Sequence, residues 1–390
     1  MSRCDVAVVG AGLAGLWTAR LLAEAGARVT LLDQRRSVDQ QIRTTGIFVR
    51  RTLEDFDLPA GCMGPGIRHV VLATPSGSAL ALESPRVEFR IAHMAALYRT
   101  LLDRALTAGV IWRPGVGCRS LRHEGGLQLL RLGGAREASL AARFVIGADG
   151  ARSRVASMLG LSHNREWIVG VEDIYRGLPL SGPPSLHCVL SPRFAPGYLA
   201  WCVNDGREVH IGVGGYAGRF EPLASLEAFR ASLQVPWDWE QETRVERRGG
   251  WIPVGGILPN IASPAGLLVG DAAGAVSPLT AGGLDPCLRL SELAARVTVN
   301  YLDGGGTAAL ADYDGTRFRR RFRNRLLLRR LLAGIPAPLL SRATAASLDS
   351  AIFGALARKV FFGRGSFPEV PRWDPGIRLV SRAPALPDVA

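Results

Sequence analysis

Three glycine- and aspartate-bearing segments hold the residues whose types and spacing could do chemistry. The first is Gly10-Ala11-Gly12-Leu13-Ala14-Gly15, a G-x-G-x-x-G run that follows the apolar, β-branched residues 4–9 and opens an amphipathic segment ending at Gly26. Gly10 permits a tight strand-to-helix turn. Gly12, without a Cβ, lets backbone approach a pyrophosphate. Gly15 allows the helix to pack closely on the strand. The helix start offers free N–H groups and a positive dipole end to phosphates. Asp33, followed by Gln34, ends a second strand over 28–32 and stands 18 residues after Gly15. At that distance an acid accepts hydrogen bonds from ribose hydroxyls and disfavours a 2′-phosphate. Strand, helix and acid together predict dinucleotide binding, but they do not separate a flavin from a nicotinamide dinucleotide.

The second segment, residues 142–161, reads as strand, Gly-Ala-Asp149-Gly150 turn, then helix. Asp149 and Gly150 fall at the carboxyl end of a parallel strand, where open α/β sheets bind ligands, although Asp-Gly also serves as an ordinary turn. The third, residues 265–295, is again a strand, then Gly270-Asp271, then a loop holding Pro278, Gly282 and Gly283 before Leu284 enters a helix. Gly282 and Gly283 open a helix N-terminus suited to an anionic or electron-rich group.

This order of motifs resembles the aromatic-hydroxylase-like superfamily of FAD-dependent oxidoreductases, over roughly residues 5–313. That superfamily includes flavin monooxygenases and geranylgeranyl reductases, and the chain is most similar to the latter. The resemblance implies the following roles. Gly10, Gly12, Leu13, Ala14 and Gly15 face the FAD pyrophosphate, and Asp33 and Gln34 the adenosine side. Arg90, which begins R-x-x-x-x-x-x-L before a helix, reaches the FAD. Asp149 and Gly150 support the cofactor, and Asp271, beside Gly270, bonds the ribityl chain. Gly283 and Leu284, after Pro278 and Gly282, offer N–H groups to the pyrimidine edge of the flavin. Arg43 lies where an FAD-contacting arginine often occurs; a solvated arginine is the other reading.

Between these motifs, strand periodicity marks 68–73 with 79–82, then 172–176, 186–190, 198–203, 208–213 and 251–254, with helices over 94–108 and 223–233. The expected fold is α/β, a Rossmann-like FAD-binding domain with an inserted antiparallel β-sheet substrate domain and C-terminal helices. Residues 1–67, 91–165 and 258–315 form the cofactor domain, 68–90 and 166–257 the substrate domain, and 316–390 a helical region. Tyr198 and Trp201, before a Val-His-Ile-Gly-Val-Gly-Gly strand, resemble an aromatic pattern of the geranylgeranyl reductases. They are read as an apolar wall for a substrate or as plain sheet core. On a regular strand, residues three apart face opposite sides. Thr44 stands where some of those reductases carry a cysteine.

The 390 residues can bury a sizeable core. The net charge of +13 is almost all arginine, since Lys359 is the only lysine. It reflects either genome composition or an anionic contact. Eight of the 14 residues from Arg317 to Arg330 are arginine, while Phe318, Phe322 and Leu326 recur on one helical face. This basic amphipathic helix either packs its apolar face on the cofactor domain or touches a membrane surface. No motif points to nucleic acid. The six cysteines form no metal or redox spacing and are expected as buried thiols. Neither they nor the six histidines suggest a metal. No stretch reaches the roughly 18 apolar residues of a membrane span, and no secretory signal is evident, so the expected location is cytoplasmic, with membrane association in reserve. The last residues, rich in proline and arginine, are expected to be irregular.

The expected activity is reduction of a C=C bond of an isoprenoid or other apolar small molecule at the flavin. Alternatives are a monooxygenase using O2, and a non-redox flavoprotein. With no second G-x-G-x-x-G, the electrons come from transiently docked NAD(P)H or a protein donor. No residue is nominated as acid or base.

Overall fold

The computed structural model describes residues 2–134, 138–176, 182–233, 243–363 and 367–380. Two large sheets dominate. In the first, strand Ser2–Val9 lies between Val29–Asp33 and Ala138–Gly147, parallel to both, because each is a continuous apolar run buried on both faces. Gly266–Leu268 adds on one side and Ile111–Pro114 on the other, again in parallel. Helices Leu13–Glu24 and Leu284–Asn300 pack against each other beside this sheet. All three glycine-bearing motifs therefore leave the same, carboxyl edge of adjacent strands.

The second sheet runs Thr243–Pro253, Trp167–Arg176, Glu208–Gly215, Ala200–Asn204, Ser185–Val189, His69–Ala73, Ala79–Glu83. It is antiparallel except where Ser185–Val189 meets His69–Ala73 in parallel. That join brings the early hairpin beside strands more than a hundred residues later. Three expected strands are longer than their sequence signal, since 167–171, 214–215 and 243–250 extend the ladders with glycines and charged residues that break alternation.

Tyr198 precedes the strand Ala200–Asn204 rather than lying in it. The expectation that Tyr198 and Trp201 face opposite sides therefore fails, because the loop at Pro196–Gly197 turns the tyrosine independently of the pleat. Helix Gly315–Gly334 buries Phe318, Phe322 and Leu326, and the first two pack on Phe367. The periodic stripe thus faces inward, as one of the two readings expected. All six cysteines are free, and all but Cys202 are buried. The terminal residues 381–390 lie outside the described residues.

Helix Leu284–Asn300 is anchored by charge. Arg289, only 2% exposed, donates to Asp285 at 3.0 and 3.1 Å and to Asp55 at 2.6 Å. Removing one partner of a buried ion pair leaves the others uncompensated, typically costing about 3–5 kcal/mol. Arg289→Met is expected to lower stability by about that amount. The check is the urea unfolding midpoint, and an unchanged midpoint would refute this account of the helix.

Candidate functional site

The glycines of the first motif close the loop onto its own backbone. Gly10 has φ +107°, and a Cβ there would fall on the Ala148 carbonyl. A Cβ at Gly15 would fall on the Gly10 carbonyl oxygen. Gly12 differs: a Cβ there would meet nothing within 4 Å, so open space lies before the start of helix Leu13–Glu24. Gly10 and Gly15 shape the cradle, and Gly12 lines it.

That space is one end of a cavity of about 970 Å³. Of the residues read from the sequence, Gly12, Leu13, Ala14, Arg43, Thr44, Gly150, Tyr198, Trp201, Gly270, Asp271, Gly282, Gly283 and Leu284 line it. Gly10, Gly15, Asp33, Gln34, Arg90, Asp149 and Pro278 do not.

Several of these have other work. The Asp33 carboxylate accepts from Ala11 N and Arg35 N, both at 2.7 Å, and from the Arg35 guanidinium at 2.8 and 3.0 Å. Those donors hold it below the usual carboxylate range against burial, which pushes the other way. It ties the glycine loop to the second strand. Gln34 is exposed. Asp149 caps the short helix Arg154–Met158, accepting from Ser153 Oγ at 2.5 Å and Arg154 N at 2.7 Å. Arg90 donates to the Gly64 carbonyl at 3.1 Å.

Asp271 stands in the first turn of a 3₁₀ helix, Gly270–Ala273, one step past the expected strand end. Its side chain finds no donor among the described residues, and enclosure raises its pKa to about 6. Asn164, which sequence reasoning missed, ties the two later motifs together by donating to the Ala151 carbonyl at 3.0 Å and the Asp271 carbonyl at 2.9 Å. A closed glycine loop, an open helix start, an unpartnered carboxylate and a glycine-opened helix along one cavity fit a dinucleotide with pyrophosphate, ribityl hydroxyls and a ring.

The opposite wall comes from the second sheet. Trp201 sits across from Gly212 in the ladder, where a side chain would collide with the indole. Gly214 makes similar room for Tyr198, whose hydroxyl donates to the Thr280 carbonyl at 2.7 Å. Both rings thus share the cavity. Behind Trp201 lies a buried polar group with no sequence signature. Glu172 accepts from Trp201 Nε1 at 3.1 Å and Thr45 Oγ at 2.6 Å, and faces His210 and Arg248 at 3.7 Å each. His210 Nε2 is 3.3 Å from Asp205, which in turn lies 3.2 Å from His93. Burial pulls His210 down, but the two carboxylates outweigh it and hold its pKa up at about 9. Glu172 and Asp205 are held below their ordinary range despite burial. Asp205, Glu208 and His210 could bring ligand atoms within 4.8 Å of one another. However, Asp205 is committed to the Arg207 and Glu208 N–H groups and to a protonated imidazole.

Beyond Tyr198 the cavity wall turns apolar, with Leu328, Leu332, Leu340, Leu356, Val360 and Phe361 from the C-terminal helices.

The chain matches the family described as FAD binding domain over residues 3–248. It is 30% identical over 323 residues to digeranylgeranylglycerophospholipid reductase 1 of Methanopyrus kandleri, covering 78% of this chain and 83% of that one. It is 31% identical over 317 residues to the menaquinone reductase of Mycolicibacterium smegmatis, covering 76% of each. Among solved structures, a geranylgeranyl bacteriochlorophyll reductase-like protein from Thermoplasma acidophilum shares the fold, with a TM-score of 0.80 at 19% identity over 94% of this chain and 98% of that one. The chain belongs to the FAD binding domain family, and it is an FAD-dependent oxidoreductase.

Proposed function

We propose that the protein reduces a C=C bond of an isoprenoid or similar long apolar molecule. The observation carrying this is the cavity itself, a single space of about 970 Å³ that runs from the glycine cradle past Trp201 to an apolar wall of C-terminal helices. Its apolar lining from the C-terminal helices suits a lipid chain better than a small aromatic. The names of the relatives in Methanopyrus kandleri and Mycolicibacterium smegmatis support a lipidic substrate class.

FAD held here would supply a hydride once reduced by docked NAD(P)H or a protein donor. Gly12, Leu13 and Ala14 would receive its pyrophosphate at the helix start. Asp271 would accept from the ribityl chain, and Gly283 and Leu284 would offer N–H groups to the ring edge, where they would stabilise negative charge. Tyr198 and Trp201 press the alkene into place and keep water out. Saturation also consumes a proton. Glu172 is a carboxylate of the cavity wall beside Trp201, and His210 Nδ1, 3.7 Å from Glu172 Oε1, would hold a proton behind it.

The outer face of the basic helix suits a membrane surface. Leu327 and Leu331, on the arginine-rich helix, are 58% and 61% exposed, and on a later helix Ile352 is 83% exposed. The inward Phe318 stripe leaves this second face free. The contact read here is peripheral, and no helix among the described residues is long and apolar enough to cross a membrane.

Three outcomes test these readings. Incubated anaerobically with chemically reduced protein and an isoprenoid, the substrate should gain two hydrogens by mass spectrometry. Gain of one oxygen, only in air, would replace the reductase with a monooxygenase, and no turnover under either condition would favour a non-redox role. Vesicles rich in anionic lipid should carry the protein upward in flotation, and Leu327→Asp with Leu331→Asp should abolish this; unchanged flotation of that variant would move the contact elsewhere. The raised pKa of His210 makes its charge stabilising in full below its ordinary 6.5, with the contribution lost as pH rises through about 9. The melting temperature should therefore fall between pH 6.5 and 9 in wild type and fall less in His210→Gln. Equal slopes would mean that the imidazole is neutral.

A further inference from the structure

Two buried carboxylates divide their oxygens in the same way around one imidazole. Asp205, 2% exposed, directly follows strand Ala200–Asn204. Its Oδ1 accepts from Arg207 N at 2.9 Å and Glu208 N at 2.7 Å, which closes the turn into strand Glu208–Gly215. Its Oδ2 is left to face His210 Nε2 at 3.3 Å and His93 Nδ1 at 3.2 Å. Glu172, 3% exposed, accepts at Oε2 from Thr45 Oγ at 2.6 Å and Trp201 Nε1 at 3.1 Å, and turns Oε1 toward His210 Nδ1 at 3.7 Å. Neither His210 Nδ1 nor Glu172 Oε1 has a hydrogen-bond partner among the described residues.

This division fixes where the imidazole keeps its protons. A neutral imidazole carries one N–H and one bare nitrogen. Beside Glu172 alone, His210 would put its single proton on Nδ1 and satisfy the carboxylate. Asp205 Oδ2 calls for an N–H at Nε2 instead, because an ionised carboxylate only accepts. Neutral His210 would then set a bare Nδ1 against a bare Glu172 Oε1, lone pair facing negative charge. One further proton between those two atoms removes the clash, whether it sits on nitrogen or on oxygen. In keeping with such a loaded pair, burial pulls His210 down but the two carboxylates outweigh it. The other charged groups nearby are Glu208, within 4.8 Å of Asp205 and His210, and Arg248, 3.7 Å from Glu172. His93 reaches the cluster through Asp205.

We propose that Asp205 is a positioning residue: by holding His210 in its Nε2–H form, it makes the proton between His210 Nδ1 and Glu172 Oε1 the one available to the cavity. Glu172 and Trp201 line that cavity, while Asp205 and His210 stand behind them. The use of this proton rests on the reductase reading above. One alkene carbon takes a hydride from reduced flavin, and the other takes the proton through Glu172. Two C–H bonds form, the π bond and the Nδ1–H bond break, and the flavin is oxidised by two electrons. Glu172 is left as a carboxylate beside neutral His210, and water restores the proton once product leaves.

The test is Asp205→Asn in the holoenzyme. The amide oxygen still serves the turn, but the NH2 now faces Nε2, which must accept, so His210 takes the neutral Nδ1–H form. Heteronuclear NMR of the histidine ring nitrogens, with His210 identified by its loss in His210→Gln, reads this directly. Wild type should show the imidazolium at neutral pH, and the variant the neutral Nδ1–H tautomer. In stopped flow without oxygen, geranylgeraniol should reoxidise reduced wild-type flavin at a rate that falls as pH rises through about 9. The variant should be slower by about a hundredfold or more, with unchanged affinity for the alcohol. If Asp205→Asn does not fold, Asp205→Ser, whose hydroxyl serves the same turn and leaves Nε2 without a carboxylate, should move both readouts in the same direction. A neutral Nδ1–H His210 in wild type, or a folded variant with the spectrum or the rate of wild type, overturns the proposal. If geranylgeraniol never reoxidises wild-type flavin, the C=C reduction reading falls, and the NMR spectra alone decide whether Asp205 sets the tautomer.

Discussion

The structure depends on one close approach, that of the Gly15 backbone to the carbonyl of Gly10. With nothing but hydrogen at position 15, helix Leu13–Glu24 lies directly on the parallel strands, with its first N–H groups aimed past their carboxyl edge. Move the helix outward by one methyl group and the open space in front of Gly12 closes or shifts. The other motifs are built around the same edge. Asp33 bonds Ala11 N from the second strand, Asn164 links the Ala151 turn to Asp271, and Arg289 locks the helix that Gly283 opens. Each is a local hydrogen bond or ion pair, and together they fix one wall of one cavity.

The cofactor half was legible in the sequence because its chemistry needs glycine at fixed spacing, and glycine is conspicuous. The spacing from Gly15 singled out Asp33, yet the structure spends that carboxylate on Ala11 and Arg35. Asp149 likewise became a helix cap. Sequence located these residues without revealing which bonds they would make, since an aspartate at a turn satisfies whichever donors arrive. The substrate half was less legible. Trp201 was visible as an aromatic, but Glu172, His210 and Asp205 lie 33 to 38 residues apart or share a strand end, with no motif between them. Only the antiparallel register, which sets His210 opposite Ile174 next to Glu172, brings them behind the indole. The basic helix posed the converse difficulty. Its Phe318, Phe322 and Leu326 periodicity was plain, while the direction it faced was a property of the body it packs on.

Charge is divided along the cavity wall. The cradle relies on backbone N–H groups and a helix dipole, which stabilise phosphate without mobile cations. The wall by Tyr216 uses whole guanidiniums, and it does so where burial makes them expensive. Between the two, Trp201 and Tyr198 are seated on glycines of the Glu208–Gly215 strand.

A shared cradle does not decide the reaction, because hydride transfer and oxygen activation draw on the same bound flavin. The opposite wall is where the two reactions make different demands. An alkene reduction needs a proton delivered to carbon and little free water, and Glu172 with protonated His210 provides a proton store sealed from solvent by Trp201. His93, 15% exposed, lies 3.2 Å from Asp205 at the edge of this cluster. Maintaining this chain of groups costs three buried charges. The buried polar cluster thus joins the cavity's apolar wall, rather than the glycine motifs, in supporting the proposed saturation of a double bond.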